Sequence, residues 1–113
     1  MAGISFWHNP DCGTSRTALA LLRDAGHDVQ VVHYLQSPPD AATLARVAAA
    51  VGGARALLRV QGTTAQARGL PDADEASILA AMLAEPILIN RPVVIGPGGI
   101  VLARPAARAV EAA

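Results

Sequence analysis

ISFWHNPDCGTSRTALALLRDAGHDVQVVHYL, from Ile4 to Leu35, is the stretch that decides the fold. Ile4–His8 is short and β-prone and ends at Asn9-Pro10, which predicts a strand followed by a turn. From Thr14 to Ala25 the period changes. Ala18, Leu21, Leu22 and Ala25 fall at i, i+3, i+4 and i+7 and give a helix one apolar face, with Gly26 as its stop. Val29–Leu35 is rich in β-branched residues and predicts a second strand. Strand, helix and strand within about 30 residues form a βαβ unit, whose two strands run parallel.

Beyond it, Ser37-Pro38-Pro39-Asp40 predicts a helix start, with Ser37 as cap and Pro38 at the first helical position. That helix runs towards Val51 and stops at Gly52-Gly53. Ala54–Arg59 is a short helical turn carrying Arg55 and Arg59, and Gln61–Pro71 is loop. Asp72-x-x-Glu75 resembles a capping box ahead of Ile78, Leu79, Met82 and Leu83, and Pro86 ends the helix. Val93–Ile95 and Ile100–Leu102 flank Gly96-Pro97-Gly98-Gly99 and predict an antiparallel hairpin. Pro105–Ala113 predicts a terminal helix with Pro105 in its first turn. The order is βαβ, a helical insert at about 37–85, then ββα. The expected architecture is α/β and thioredoxin-like: a four-stranded mixed sheet with flanking helices, as a single domain over 1–113.

Composition narrows the function. With 113 residues and 52% apolar content, the chain can build one core but not two ordinary domains. Nine basic side chains balance nine acidic ones, which leaves no electrostatic footprint for nucleic acid. The apolar content also excludes disorder. Ile4–Trp7 is too short for a signal peptide or a membrane span, so a cytoplasmic monomer is expected. A single cysteine excludes an internal disulfide and a multi-cysteine zinc site, and no metal-ligand spacing occurs. All nine basic residues are arginine, so only position can single one out.

Cys12 has such a position. It lies after the first strand and just before a helix, where a thiol faces free backbone amides and the positive end of the helix dipole. Both favour the thiolate. A free cysteine is more commonly inert and buried, but a βα loop at the carboxyl end of a parallel strand is where α/β sheets hold ligands. Three residues on stands Ser15 rather than a second cysteine, so any resolving thiol comes from another molecule. Ser15 can offer its hydroxyl to the thiolate or to a bound anion. His8 either assists Cys12 or caps the strand end. His27 and His33 have no cluster partner. Arg23, Arg46, Arg68 and Arg108 look like solvated faces, whereas Arg59 ends an apolar turn, Arg91 precedes Pro92 and Arg104 follows the last strand.

His8-Asn9-Pro10-Asp11-Cys12-Gly13-Thr14-Ser15-Arg16 closely resembles the active-site loop of the glutaredoxin-coupled arsenate reductases. Arg55–Arg59, Pro86–Pro92 and Leu102–Pro105 resemble three further motifs of that family, in the same order, and the likeness spans about residues 4 to 105. The resemblance implies Cys12 as nucleophile, His8 and Ser15 as supporting groups, and Arg59, Arg91 and Arg104 as the arginines that bind the oxyanion. It implies Pro92 as the cis-proline of a thioredoxin-like fold. It further implies arsenate as substrate, glutathione as co-substrate, glutaredoxin as protein partner and no bound cofactor. Two other activities fit the same fold: a glutathione-dependent thiol-disulfide oxidoreductase, and a non-enzymatic regulator that binds RNA polymerase. The arginines argue against the first, and the absence of a CxxC switch against the second. Asp11 departs from the family pattern, since the best-known members carry a small residue there. The tail departs too, with nine residues after Arg104 where the family often has more.

Overall fold

Two strands of four residues, β1 (Ile4–Trp7) and β2 (Val29–Val32), pair in parallel, with Ile4 opposite Val29 and Trp7 opposite Val32. The helix α1 (Gly13–Asp24) connects them. This computed structural model describes residues 3–113. The hairpin strands β3 (Val93–Gly96) and β4 (Gly99–Leu102) are antiparallel, and β3 lies against β1, giving the mixed order β2-β1-β3-β4. Alternation along the strands puts Ile4 and Phe6 on one face. Phe6 pairs with Val94, and Val94 with Val101, so this row crosses three strands. Ala18, Leu19 and Leu22 of α1 close over it, with Ala109 and Ala112 from the tail.

The chain divides into two compact units. One comprises the segment up to Ser37 together with Arg91–Ala113 and holds the whole sheet. The other is Pro38–Asn90, which contains α2 (Ala41–Ala50), α3 (Ala54–Leu57) and α4 (Glu75–Ala84). Leu44, Val47, Leu57, Ile78, Met82, Leu88 and Ile89 are its largest fully buried side chains. An antiparallel bridge between Leu58 and Ile89, with Arg59 N–H donating to the Leu88 carbonyl and Asn90 N–H to that of Leu57, ties the segment after α3 to the C-terminal end of the unit.

Five local expectations shift. The buried face of α1 carries Ser15, Ala18, Leu19 and Leu22, whereas Leu21 and Ala25, expected on it, are exposed. β2 ends at Val32 rather than Leu35, because the amides of Gln36 and Ser37 both turn back onto the His33 carbonyl. The first insert helix starts at Ala41, with Asp40 rather than Ser37 as cap. Pro38 precedes a proline, which drives it out of helical geometry. The last insert helix is capped by Asp74 rather than Asp72, because Asp72 is already used in a 3-10 turn, Leu70–Asp72. Glu75 does not complete a box but reaches the Ala54 amide at 2.9 and 3.1 Å. The tail is a 3-10 helix, Ala106–Ala112, preceded by Pro105. Three residues per turn aligns Ala106, Ala109 and Ala112 on one face, and all three meet the core.

Candidate active site

The ladder between β1 and β2 continues one step past the strands, where His8 N–H donates to the Val32 carbonyl at 2.9 Å. The chain then reverses through Asn9-Pro10-Asp11-Cys12, closed by Cys12 N–H on the Asn9 carbonyl at 3.0 Å. Proline presets the second position of such a turn. Asn9 Oδ1 accepts from Asp11 N–H at 3.0 Å, and Arg16 Nη1 donates to the Pro10 carbonyl at 2.7 Å. Cys12 is delivered with extended dihedrals as the N-cap of α1.

Ser15 ties the strand end to the helix start. It is fully buried, and its Oγ lies 2.7 Å from His8 Nδ1 while accepting from Asn9 N–H at 3.2 Å. The hydroxyl anticipated for the thiolate is thus engaged by His8 and Asn9, and it is the Ser15 backbone amide that faces the sulfur. Burial holds the His8 pKa below the usual imidazole value, reinforced by the charges of His33, Arg23 and Arg16. His8 is accordingly neutral at physiological pH, and one of its two ring nitrogens is an acceptor.

Across the sheet, Ala103 N–H donates to the Pro92 carbonyl at 3.0 Å and sets Arg104 beside Arg91. Arg104 Nη1 lies 3.7 Å from Cys12 Sγ and donates to the Arg91 carbonyl at 2.9 Å. The peptide bond between Arg91 and Pro92 is cis, as the resemblance implied, and that between Arg104 and Pro105 is cis as well. Partial burial pushes the Cys12 thiol up. The Ser15 amide, then the guanidinium groups of Arg91 and Arg104, pull it down further, so that it ionises below the usual thiol value. No cap hydrogen bond of ordinary geometry forms to the thiol, so the amide acts on the sulfur chiefly through its dipole.

Cys12, His8, Ser15, Arg91 and Arg104 therefore occur together in the sheet-bearing unit. Arg59 belongs to the Pro38–Asn90 unit, where it is half-buried and its Nε donates to the Gln61 carbonyl at 3.1 Å. Asp11 is exposed, and the Arg16 guanidinium takes the Pro10 carbonyl. Tyr34, which the sequence does not single out, is fully buried next to Asn9, Arg91 and Cys12. Its signal was topological: it follows directly on a strand parallel to β1 and so arrives at the same sheet edge as the Cys12 loop. Among the described residues, no group of three His, Cys, Asp or Glu side chains is placed to hold a metal ion. No described helix is long and apolar enough to cross a membrane.

A thiolate set at a helix N-terminus with two guanidinium groups is a nucleophile built to meet an anion. Comparison with known proteins agrees. The chain is 46% identical over 105 residues to an arsenate reductase of Rhizobium meliloti (strain 1021), covering 90% of this chain and 75% of that one. It is 37% identical to an arsenate reductase of Neisseria meningitidis, covering 93% of each. The solved arsenate reductase from Vibrio cholerae superposes with a TM-score of 0.91 at 32% identity, over 99% of this chain and 98% of the other. Residues 7–112 match the ArsC family, and with the Cys12 loop, the cis-proline and the paired arginines in place, the chain belongs to that family.

Proposed function

We propose that this protein is an arsenate reductase, in which the Cys12 thiolate attacks arsenic(V) and two external thiols supply the electrons. The observation that carries this reading is the Arg104 guanidinium 3.7 Å from Cys12 Sγ, in a site where Arg91 also favours the thiolate. Disulfide exchange alone has no use for such an anion clamp. Planar paired donors match the oxygens of a tetrahedral dianion. Arg59 is assigned to the same anion from its family motif alone. Ser15 and His8 support the site by holding the Cys12 loop to the end of β1.

In the first step a sulfur–arsenic bond forms and an arsenic–oxygen bond breaks. The departing oxygen leaves as water after protonation, and the product is a covalent thiol–arsenate adduct, still arsenic(V). The chain contains no second cysteine, so glutathione attacks next. Its thiolate bonds to the Cys12 sulfur, the sulfur–arsenic bond breaks with its electron pair left on arsenic, and arsenic(III) departs as arsenite; glutaredoxin then takes the glutathione from the Cys12 mixed disulfide by thiol–disulfide exchange. Over the cycle arsenic gains two electrons, two thiols become one disulfide, and one oxygen of arsenate ends in water. The reductants are those of a cytoplasm that keeps thiols reduced. A cytoplasmic monomer acting as one domain, with its insert at about 37–85, fits this chemistry.

The test is NADPH oxidation with arsenate, glutathione, glutathione reductase and glutaredoxin. Arsenate-dependent oxidation that requires glutaredoxin is expected. Activity with thioredoxin alone would overturn the coupling. Turnover of a glutathione mixed disulfide without any arsenate turnover would make the protein a thiol-disulfide oxidoreductase instead.

A further inference from the structure

We infer that Tyr34 is a positioning residue: its buried hydroxyl holds the Arg91 guanidinium, and with it the Cys12 loop, in the geometry that receives the anion. The inference rests on the anion-binding reading of Arg91 given above. Tyr34 lies just past the end of β2 and is fully buried, yet its hydroxyl is not surrounded by hydrocarbon. The side chains of Asn9 and Arg91 donate to it, and the Cys12 sulfur is close enough to act on it through its charge. Burial raises the phenol above its usual ionisation range, against the pull of Arg91, so the group at work is the neutral phenol.

Each neighbour leads back to the nucleophile. Asn9 is buried and fixes the turn before Cys12 three times over: its carbonyl takes Cys12 N–H, its Oδ1 takes Asp11 N–H, and its own N–H goes to Ser15 Oγ. Arg91 offers its carbonyl to Arg104 Nη1, the same nitrogen that faces Cys12 Sγ. A phenol oxygen shared by Asn9 and Arg91 thus joins the loop that carries the thiol to the strand that carries the arginines. A guanidinium has five donors on a flexible stem, and a fixed acceptor is what selects one orientation.

The experiment compares wild type, Tyr34→Phe, Arg91→Met and the double variant. The readouts are the pH midpoint of Cys12 alkylation by iodoacetamide and, separately, kcat and KM for arsenate. In Tyr34→Phe the alkylation midpoint should rise by several tenths of a pH unit. KM should rise about three- to tenfold with kcat changed less, as expected when a hydrogen bond to a charged group is lost. On the Arg91→Met background the same substitution should add almost nothing, because its effect runs through Arg91. A folded Tyr34→Phe protein with wild-type midpoint and KM overturns the inference, and so does an equal shift on both backgrounds. Should Tyr34→Phe not fold, Tyr34 is the only tyrosine in the chain and its ionisation can be followed directly by ultraviolet absorbance. Arg91→Met should then move that titration upward, and an unmoved phenol overturns the inference. The alkylation and phenol measurements need no turnover. A wild-type enzyme inactive on arsenate would therefore sink the proposed function while leaving these outcomes readable.

Discussion

The helix starts of the insert and that of α1 solve one physical problem in opposite ways. Every helix leaves its first amides without intrahelical partners and carries a partial positive charge there. In the Pro38–Asn90 unit, carboxylates answer both. Asp40 accepts from Thr43 N–H at 2.7 Å, Asp74 from Ser77 N–H at 2.7 Å, and Glu75 takes the Ala54 amide at the start of α3. At α1 the capping position holds Cys12, and the first turn contains no acidic residue. The amides that a carboxylate would have claimed are left to a sulfur that becomes an anion only on losing its proton. The arginines divide in the same way. Arg68 in the insert is spent on Glu85 at 2.7 Å in an exposed pair, whereas Arg104 faces the thiol at 3.7 Å. The insert's helix starts and Arg68 are neutralised by local partners, whereas the α1 amides, Arg91 and Arg104 favour the Cys12 thiolate.

The largest effect that sharpens this contrast is Cys12→Ser. Serine is a good N-cap, so the variant should melt at or above the wild-type temperature at neutral pH. Arsenate turnover should nevertheless fall to background, because a hydroxyl is scarcely ionised where a thiol is. Substantial residual turnover would show that Cys12 is a cap like the aspartates and that the reaction runs elsewhere.

Next in size are the arginines. Arg104→Ala or Arg91→Ala should each reduce kcat/KM for arsenate about ten- to a hundredfold or more, equivalent to roughly 1.5–3 kcal/mol for a charged hydrogen-bond donor. Arg68→Ala removes an equal charge from an exposed pair and should leave kcat/KM within about twofold. Equal losses from Arg68→Ala and Arg104→Ala, measured at matched stability, would erase the distinction between the two regions.

How much of this could be read beforehand follows from which interactions are local. The βαβ unit and the hairpin were legible because period and turn chemistry are written over a few neighbouring residues. The row through Phe6, Val94 and Val101 was not, because it depends on β3 lying against β1, a pairing between segments far apart in the sequence. The Cys12 loop was legible because its polar residues are contiguous. Cap choice was not, because Asp72 and Asp74 compete for one helix end and the loser is fixed by the 3-10 turn before it. Nor was the 3-10 tail, whose pitch is set by a core that accepts an alanine every third residue. Within the site, the direction of the Ser15 hydroxyl depended on a buried His8 seven residues away, and the part of Tyr34 on a sheet edge shared with β1. Both are tertiary facts that neither motif nor composition contains.

The smallest effect concerns stability and pH, and it separates the two kinds of helix start most cleanly. Asp40 and Asp74 ionise below the usual carboxylate value, Asp40 through the Thr43 backbone and side chain and Asp74 through those of Ser77. A depressed folded pKa means that the unfolded chain binds more protons, so stability rises with pH across that window. The capping contribution is therefore complete above the unfolded carboxylate value of about 3.9 and is lost as pH falls through the lower folded value. Cys12 obeys the same sign at the other end of the scale. Its thiol also ionises lower in the folded chain, against the push of partial burial and with the help of the Ser15 amide, Arg91 and Arg104. Its contribution is absent below the folded value, grows as pH climbs, and is complete above the unfolded thiol value of about 8.5. Melting temperatures should show wild type gaining on Cys12→Ser as pH rises towards the unfolded thiol value, while Asp74→Ala should stay a constant few degrees less stable over the same interval and approach wild type only in acid. Cys12 is partly exposed to solvent, so the gain should be modest and should shrink with added salt. A wild-type advantage that stays flat or falls with rising pH would mean that the α1 amides and arginines do not stabilise the thiolate, and the contrast with the carboxylate-capped helices would fail at its chemical root.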